Sequence, residues 1–288
     1  MIHYKRRDFL KVASTLVSGV ALTGIGSQIA GCKAGSKLIG NNNVFGLQLY
    51  SLRDVLPADP KGILKQVASF GYKQIEGFEG NKGIYWGMKN TEFKSFLDGL
   101  GMQMVSSHCN YKQDLERKAD EAAAIGMKYL ICPSLGNPKT LDAFKQAAET
   151  FNKSGEICRQ RGLRFAYHNH AYSFKQVEGQ YPQDVMMQST DKALVDYEMD
   201  MYWVVAAGQD PVVWLNKYPG RFKLGHVKDK KGNETATLGT GTINYPAIVQ
   251  VAKKAGMEYF IVEQEQYEGT TPIAAAKDDA EYMKRLKI

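Results

Sequence analysis

Cysteine is scarce in this chain and is placed for neither metal binding nor a disulfide framework: the four residues stand at 32, 109, 132 and 158, with no Cys-x-x-Cys spacing. With Cys32 set aside for a reason given below, an odd number remains, which reads as buried free thiols. A Gly-rich phosphate loop after the first apolar run is missing and no arginines cluster, so no phosphate site is marked. A large charge excess is missing too. Of the formal net charge of +7, Lys5, Arg6, Arg7 and Lys11 against Asp8 supply +3 within the first 31 residues, and the rest is interleaved with acids. No nucleic-acid partner is expected from such a balance. With 44% hydrophobic and 23% charged residues over 288 positions, the disordered and fibrous classes fall away.

What is present begins with an address. Lys5-Arg6-Arg7-Asp8-Phe9-Leu10-Lys11 reads as a twin-arginine export signal. Residues 12–30 that follow are weakly apolar, with more Gly, Ser and Thr than a permanent membrane span would carry. Ile29-Ala30-Gly31-Cys32 resembles a bacterial lipobox, in which Cys32 becomes the lipidated first residue. The expectation is a signal over residues 1–31, a Gly-, Ser- and Asn-rich tether over 32–43 and one domain over 44–288. The protein would then be periplasmic, touching the membrane only through its signal or lipid anchor.

From residue 44 onward, apolar runs alternate with amphipathic segments. Strands are expected over 44–53, 72–79, 102–110, 128–135, 163–174, within 194–206, and over 222–229 and 259–266. Helices are expected over 59–71, 91–101, 114–126, 141–162, 182–190, 210–218, 245–256 and 272–286. Gly closes five of these helices, at 71, 101, 126, 162 and 256, one or two residues before the next apolar run. Eight strands alternating with eight helices, without a phosphate loop, predict a single-domain (β/α)₈ TIM barrel over an open doubly wound sheet.

In such barrels the chemistry sits at the C-terminal strand ends. The four histidines beyond the signal, His108, His168, His170 and His226, all fall there. Four of the runs end in polar pairs two residues apart: His168 and His170, Asp200 and Tyr202, His226 and Lys228, Glu263 and Glu265. Their first members are spaced by 32, 26 and 37 residues, about one strand-helix-strand unit each. Successive parallel strands would therefore bring His168, Asp200, His226 and Glu263 to one point, a donor set for a divalent metal. Asp200 also reads as a cap or turn residue, and Lys228 either holds a substrate oxygen or pairs with Asp229. Glu76, if inward, needs a partner, a sugar hydroxyl or Arg53.

The strings LQLYSLR (47–53), IEGF (75–78), SSH (106–108), AYHNH (166–170), EMDMYW (198–203), AAGQDP (206–211), GHVKD (225–229) and VEQEQ (262–266) resemble the xylose isomerase-like TIM barrels, the sugar phosphate isomerase and epimerase type. That resemblance implies one divalent metal held by Glu, Asp, His and Glu on strands five to eight. Asp200, His226 and Glu263 match, whereas His168 stands in place of the first Glu. Two imidazoles and two carboxylates favour Mn, Co, Zn or Fe over Mg. One of the two glutamates that would face each other across the substrate is lost, which points away from two-base epimerisation. It points toward one-sided proton chemistry beside a ketone.

The catalytic set implied is Glu263, His170 and Lys228, with Gln48, Glu76, His108, Tyr202, Trp203 and Glu265 as substrate contacts. The ligand expected is an unphosphorylated sugar, keto-sugar or glycoside, given the aromatic residues near strand ends and the export signal. Isomerisation, a lyase or hydratase reaction on 3-keto-glycosides, and a non-catalytic sugar-binding lipoprotein all remain open on these residues. So does the oligomeric state.

Overall fold

The computed structural model describes residues 43–288, so the expected signal, Cys32 and nearly all of the tether lie outside the described residues. Eight parallel strands close into a barrel. In chain order they are β1 (Gly46–Gln48), β2 (Gln74–Phe78), β3 (Gln103–His108), β4 (Tyr129–Cys132), β5 (Arg164–His168), β6 (Val195–Asp200), β7 (Phe222–Val227) and, after the small hairpin strands β8 (Asp229–Lys231) and β9 (Glu234–Ala236), β10 (Tyr259–Val262). Closure is made by β1 against β10, with Gly46 opposite Ile261 and Leu47 opposite Val262. This is the TIM barrel the alternation predicts.

Several helices start at a side-chain cap. Asp59 accepts from the Gly62 amide at 2.9 Å to open α1 (Pro60–Phe70), and Gly71, at φ 105°, lets the chain turn back toward β2. After α2 (Asn90–Gly99) and α3 (Leu115–Ala124) comes the longest, α4 (Leu141–Arg159), capped by Thr140. It buries Leu141, Phe144, Ala148, Phe151 and Cys158 along one stripe. Phe151 packs against Phe165 and Tyr167 of β5 at centroid distances of 5.5 and 5.3 Å. Each such fully buried ring stabilises the helix-sheet contact by about 1.5–3 kcal/mol. Cys109, Cys132 and Cys158 are buried free thiols, as their spacing suggested.

Alternation along the strands sorts the barrel interior into levels. At the N-terminal end of the strands, Arg164 of β5 grips Asp196 of β6, and the Tyr129 hydroxyl of β4 donates to the same carboxylate at 3.1 Å. Above it lies an apolar plug of Val105, Ile131, Ala166, Leu224 and Ile261. One step further along the same strands the inward residues become His168, Glu198, His226 and Glu263. The register shifts between Tyr197 and Glu198, and again between Ile75 and Glu76. Both irregularities fall at the buried acids, where a bulge re-aims a side chain.

The strands are shorter than the apolar runs suggested, because several runs turn into helix or coil before they end. Residues Leu49–Leu52 and Ala171–Phe174 are 3-10 turns. Beyond β6 the chain enters a short extra helix, α6 (Met201–Ala206), so Tyr202 is helical and does not share a strand face with Asp200. α2 begins one residue earlier than expected, at Asn90. The β8–β9 hairpin was not anticipated. The remaining helices, α5 (Pro182–Ser189), α7 (Pro211–Lys217), α8 (Tyr245–Lys254) and α9 (Pro272–Arg285), fall where expected.

Candidate metal centre

His168, the last residue of β5, is 3% exposed. Its Nδ1 lies 3.1 Å from the Pro133 carbonyl, an oxygen that can only accept, so Nδ1 carries the proton. Nε2 is thereby left as a lone pair, buried and unpartnered, 3.4 Å from Asp200 Oδ2. His226 on β7 is oriented by the same logic: Nε2 lies 2.8 Å from the Glu76 carboxylate, and Nδ1 has no hydrogen-bond partner. That free nitrogen faces Glu263 Oε2 at 3.2 Å and Asp200 Oδ2 at 3.6 Å.

Asp200 resolves its two readings by using both oxygens. Oδ1 caps α6, accepting from the Trp203 amide at 3.1 Å, and Oδ2 turns into the barrel without a well-aligned donor. One ligand atom each from His168, Asp200, His226 and Glu263 lies within 4.8 Å of the others, and all four residues are buried. Once His226 Nδ1 gives up its proton, two imidazole nitrogens and two carboxylate oxygens converge as donors on one point. The residues present therefore fit a divalent metal, in a donor set suited to tetrahedral or open coordination.

Lys228, one step past β7, supplies the only lysine ammonium within reach of this centre among the described residues. It is fully buried, and its Nζ lies 2.8 Å from Asp200, 2.5 Å from Glu263 and 2.5 Å from Glu265. Its partners are these three and not Asp229, which instead accepts the Lys230, Gly239, Gly241 and Ile243 amides. The Tyr245 hydroxyl brackets the Lys228 backbone, accepting from its N–H at 2.7 Å and donating to its carbonyl at 2.6 Å. Burial opposes charge on Asp200 and Glu263, but the Lys228 ammonium and the neighbouring imidazoles outweigh it and hold both carboxyls well below the usual range. Burial also opposes the Lys228 charge, and its three carboxylates outweigh that, raising its pKa.

Beneath the four donors lies a second cluster, Glu76, His108, Glu198 and His226, all buried. Here the polar atoms are mostly paired with one another. Gln48 donates to Glu76 at 2.7 Å, Ser106 to its other oxygen at 2.6 Å, and His108 Nε2 sits 2.8 Å from Glu198. Burial works against the His226 charge, yet Glu198 and Glu263 drive its pKa well above the ordinary value. In the metal-free chain the ring is thus held protonated, and a cation at Nδ1 takes the place of one proton. Glu198, likewise opposed by burial, is held ionised by His226 and His108.

Glu198 was not singled out from the sequence. Its signal was there, in the alternation Glu198-Met199-Asp200, which places both acids on one strand face. Gln48 and Glu76, expected as substrate contacts, are fully buried in this lower layer, where Glu76 meets His226 at 2.8 Å and His108 at 3.3 Å and not Arg53. Tyr202 and Trp203, also expected there, instead wall in Lys228, whose Nζ lies 5.6 and 5.4 Å from their ring centroids.

The barrel mouth opens into a cavity of about 750 Å³ that reaches His108, His168, His170, Glu263 and Glu265. His170, two residues past His168, stacks on Tyr172 and packs on Trp203. Burial, then the nearby His168, push its pKa down to about 3, so it is a neutral imidazole at ordinary pH. Glu265 is held by the hairpin, Thr235 Oγ1 accepting from its amide at 3.2 Å.

A family model for the xylose isomerase-like TIM barrel matches residues 64–286. The chain belongs to the xylose isomerase-like TIM barrel family. Within it the chain is similar to a sugar phosphate isomerase/epimerase of Parabacteroides distasonis, 31% identical, with 86% of this chain and 95% of that one covered and a TM-score of 0.74. Inosose dehydratases of Clostridium tetani and Clostridium perfringens are 28% and 30% identical over 152 and 146 residues, 49% and 43% of this chain. The chain spans about half the length of these curated relatives, 50% and 48%. A buried His, Glu and Asp site fits a xylose isomerase-like barrel whose relatives include sugar isomerases, epimerases and dehydratases.

Proposed function

We propose that the protein is a divalent-metal-dependent enzyme that moves a proton next to a carbonyl of an unphosphorylated sugar or keto-sugar, an isomerisation or a related enolisation. The observation that supports this most is the pair of imidazoles, His168 and His226, each with one nitrogen committed as a donor and the other bare toward Asp200 and Glu263. A metal held by His168, Asp200, His226 and Glu263 would polarise a bound oxygen as a Lewis acid, and such donors favour Mn, Co, Zn or Fe. Lys228, whose three N–H groups face three carboxylates, would reach a second substrate oxygen by giving up one of them, Glu265 being the one that lines the cavity. Of the cavity groups, Glu263 and the neutral His170 are the two assigned to take up the proton. Tyr202 and Trp203 keep water from Lys228.

A second reading, a lyase or hydratase on 3-keto-glycosides, is favoured by one further observation. With Nδ1 tied to a backbone carbonyl and Nε2 given to the metal, His168 would have no lone pair left to act as the second base of a two-sided epimerisation. The similarity to inosose dehydratases points the same way. The twin-arginine and lipobox patterns support a periplasmic, lipid-anchored enzyme, with the barrel over 44–288 following a signal and a tether.

The test is metal content by elemental analysis, with solvent deuterium exchange into keto-sugars, for wild type, His168→Ala and Asp200→Ala. One equivalent of metal in wild type, lost in both variants together with exchange, is the expected result. Sugar binding without metal and without exchange would leave a sugar-binding lipoprotein as the better account.

A further inference from the structure

We propose that the cavity carries a subsite for a second ring, so that the substrate is a two-ring saccharide or glycoside and not a single sugar. The inference rests on the sugar reading above and names its substrate class. A volume of about 750 Å³ lies in the upper part of the roughly 300–1,000 Å³ that takes drug-sized ligands, more than one hexose fills. The cavity is also lopsided. His168, His170, Glu263 and Glu265 line it at the metal centre, whereas its Tyr and Phe rings, Tyr50, Phe78 and Tyr111, all lie over β1 to β4, beside the polar Glu79, His108 and Lys112.

Tyr50 is the decisive residue. The other tyrosine lining the cavity, Tyr111, is 8% exposed, but Tyr50 is 39% exposed. Exposure usually goes with freedom, yet this ring is fixed from two sides. Phe78 meets it edge to face at 5.2 Å and is itself backed by Trp86 at 5.0 Å. The Arg53 guanidinium lies 4.7 Å from the ring centroid, held there by bonds to the Tyr50 carbonyl at 3.1 Å and the Glu265 carbonyl at 2.7 Å. An aromatic face kept both exposed and rigid binds the flat, C–H-rich face of a pyranose or an arene at little entropic cost. The bond from Arg53 to the Glu265 backbone joins this platform to the metal-centre end, which fixes the spacing of the two rings.

The test is calorimetric titration of the full metal-loaded chain with matched pairs in gluco, galacto and manno configuration. Each pair is a free monosaccharide against its disaccharide and its 4-nitrophenyl glycoside. Wild type, Tyr50→Phe and Tyr50→Ala are compared, with metal content measured on the same samples. At least one two-ring ligand should bind tenfold or more tightly than its monosaccharide, a preference kept in Tyr50→Phe and reduced to within threefold in Tyr50→Ala. Preference for the disaccharide alone identifies a sugar as the second ring, and equal preference for both identifies any flat ring. The proposal is overturned if no two-ring ligand outbinds its monosaccharide, or if Tyr50→Ala weakens both alike. A two-ring preference in a chain that holds no metal would overturn the metalloenzyme reading and leave the subsite standing.

Discussion

The two ends of the barrel treat buried charge in opposite ways. At the N-terminal end one acid, Asp196, meets the fork of Arg164 and the Tyr129 hydroxyl, and its bonding capacity is used up within the fold. Toward the other end five carboxylates, Glu76, Glu198, Asp200, Glu263 and Glu265, face one lysine and a set of imidazoles, and buried nitrogens at His168 and His226 are left without a hydrogen-bond partner. A charge pair that only stabilises is closed on itself. One that works on a ligand is left incomplete, and the surplus of negative charge marks where a cation belongs.

This contrast is sharpest at Lys228. Lys228→Met leaves Asp200, Glu263 and Glu265 without their ammonium, which should cost the metal-free chain about 3–5 kcal/mol in denaturant unfolding. Added divalent metal should recover much of that loss, a recovery with no counterpart at the other end. Next comes Glu76→Gln, which weakens the orientation of His226 and should lower metal affinity about 10–100-fold in competition with a chelator, with the fold intact. Arg164→Met at the closed end should cost only about 1–2 kcal/mol, because that guanidinium is partly solvated, and should leave metal content unchanged. Metal loss in Arg164→Met would erase the distinction between the two ends.

Asp279 on α9 offers a third, smaller case. It is 1% exposed and accepts the Leu238 amide at 2.8 Å, with no basic partner among the described residues, and burial pushes its pKa up to about 8. A carboxyl raised in the folded state stabilises fully below its unfolded pKa of about 4, and that contribution is lost as pH rises through about 8. Urea unfolding between pH 6 and 8 should therefore show falling stability, with a slope of up to about 1.4 kcal/mol per unit, absent in Asp279→Asn. A flat wild-type profile would show that Asp279 finds a cation after all.

Much of this was legible beforehand. Strand-helix alternation and helix-closing glycines such as Gly71 gave the barrel, and the spacing of His168, Asp200, His226 and Glu263 gave the donor set. Illegible parts were those where chain direction changes just past a strand. Tyr202 reads as a strand residue paired with Asp200, but the Asp200 cap starts α6 there and swings its ring onto Lys228. Gln48 and Glu76 read as cavity groups because alternation gives the face a side chain takes but not its depth along the barrel axis. Glu198 was passed over for a related cause: two acids on one face sit at different depths, and only the upper one looked like a ligand. Tyr50 is legible as one of the aromatics near strand ends, but the fixing of its ring by Phe78 and Arg53 is not, since no periodicity shows those contacts.

The divided carboxylate of Asp200 makes the first turn of α6 a reporter. One oxygen anchors the Trp203 amide and the other faces the metal centre, so whatever occupies the centre also sets how firmly that amide is held. Hydrogen exchange at Trp203 should slow when the centre is filled, giving a spectroscopic handle on occupancy that needs neither substrate nor turnover.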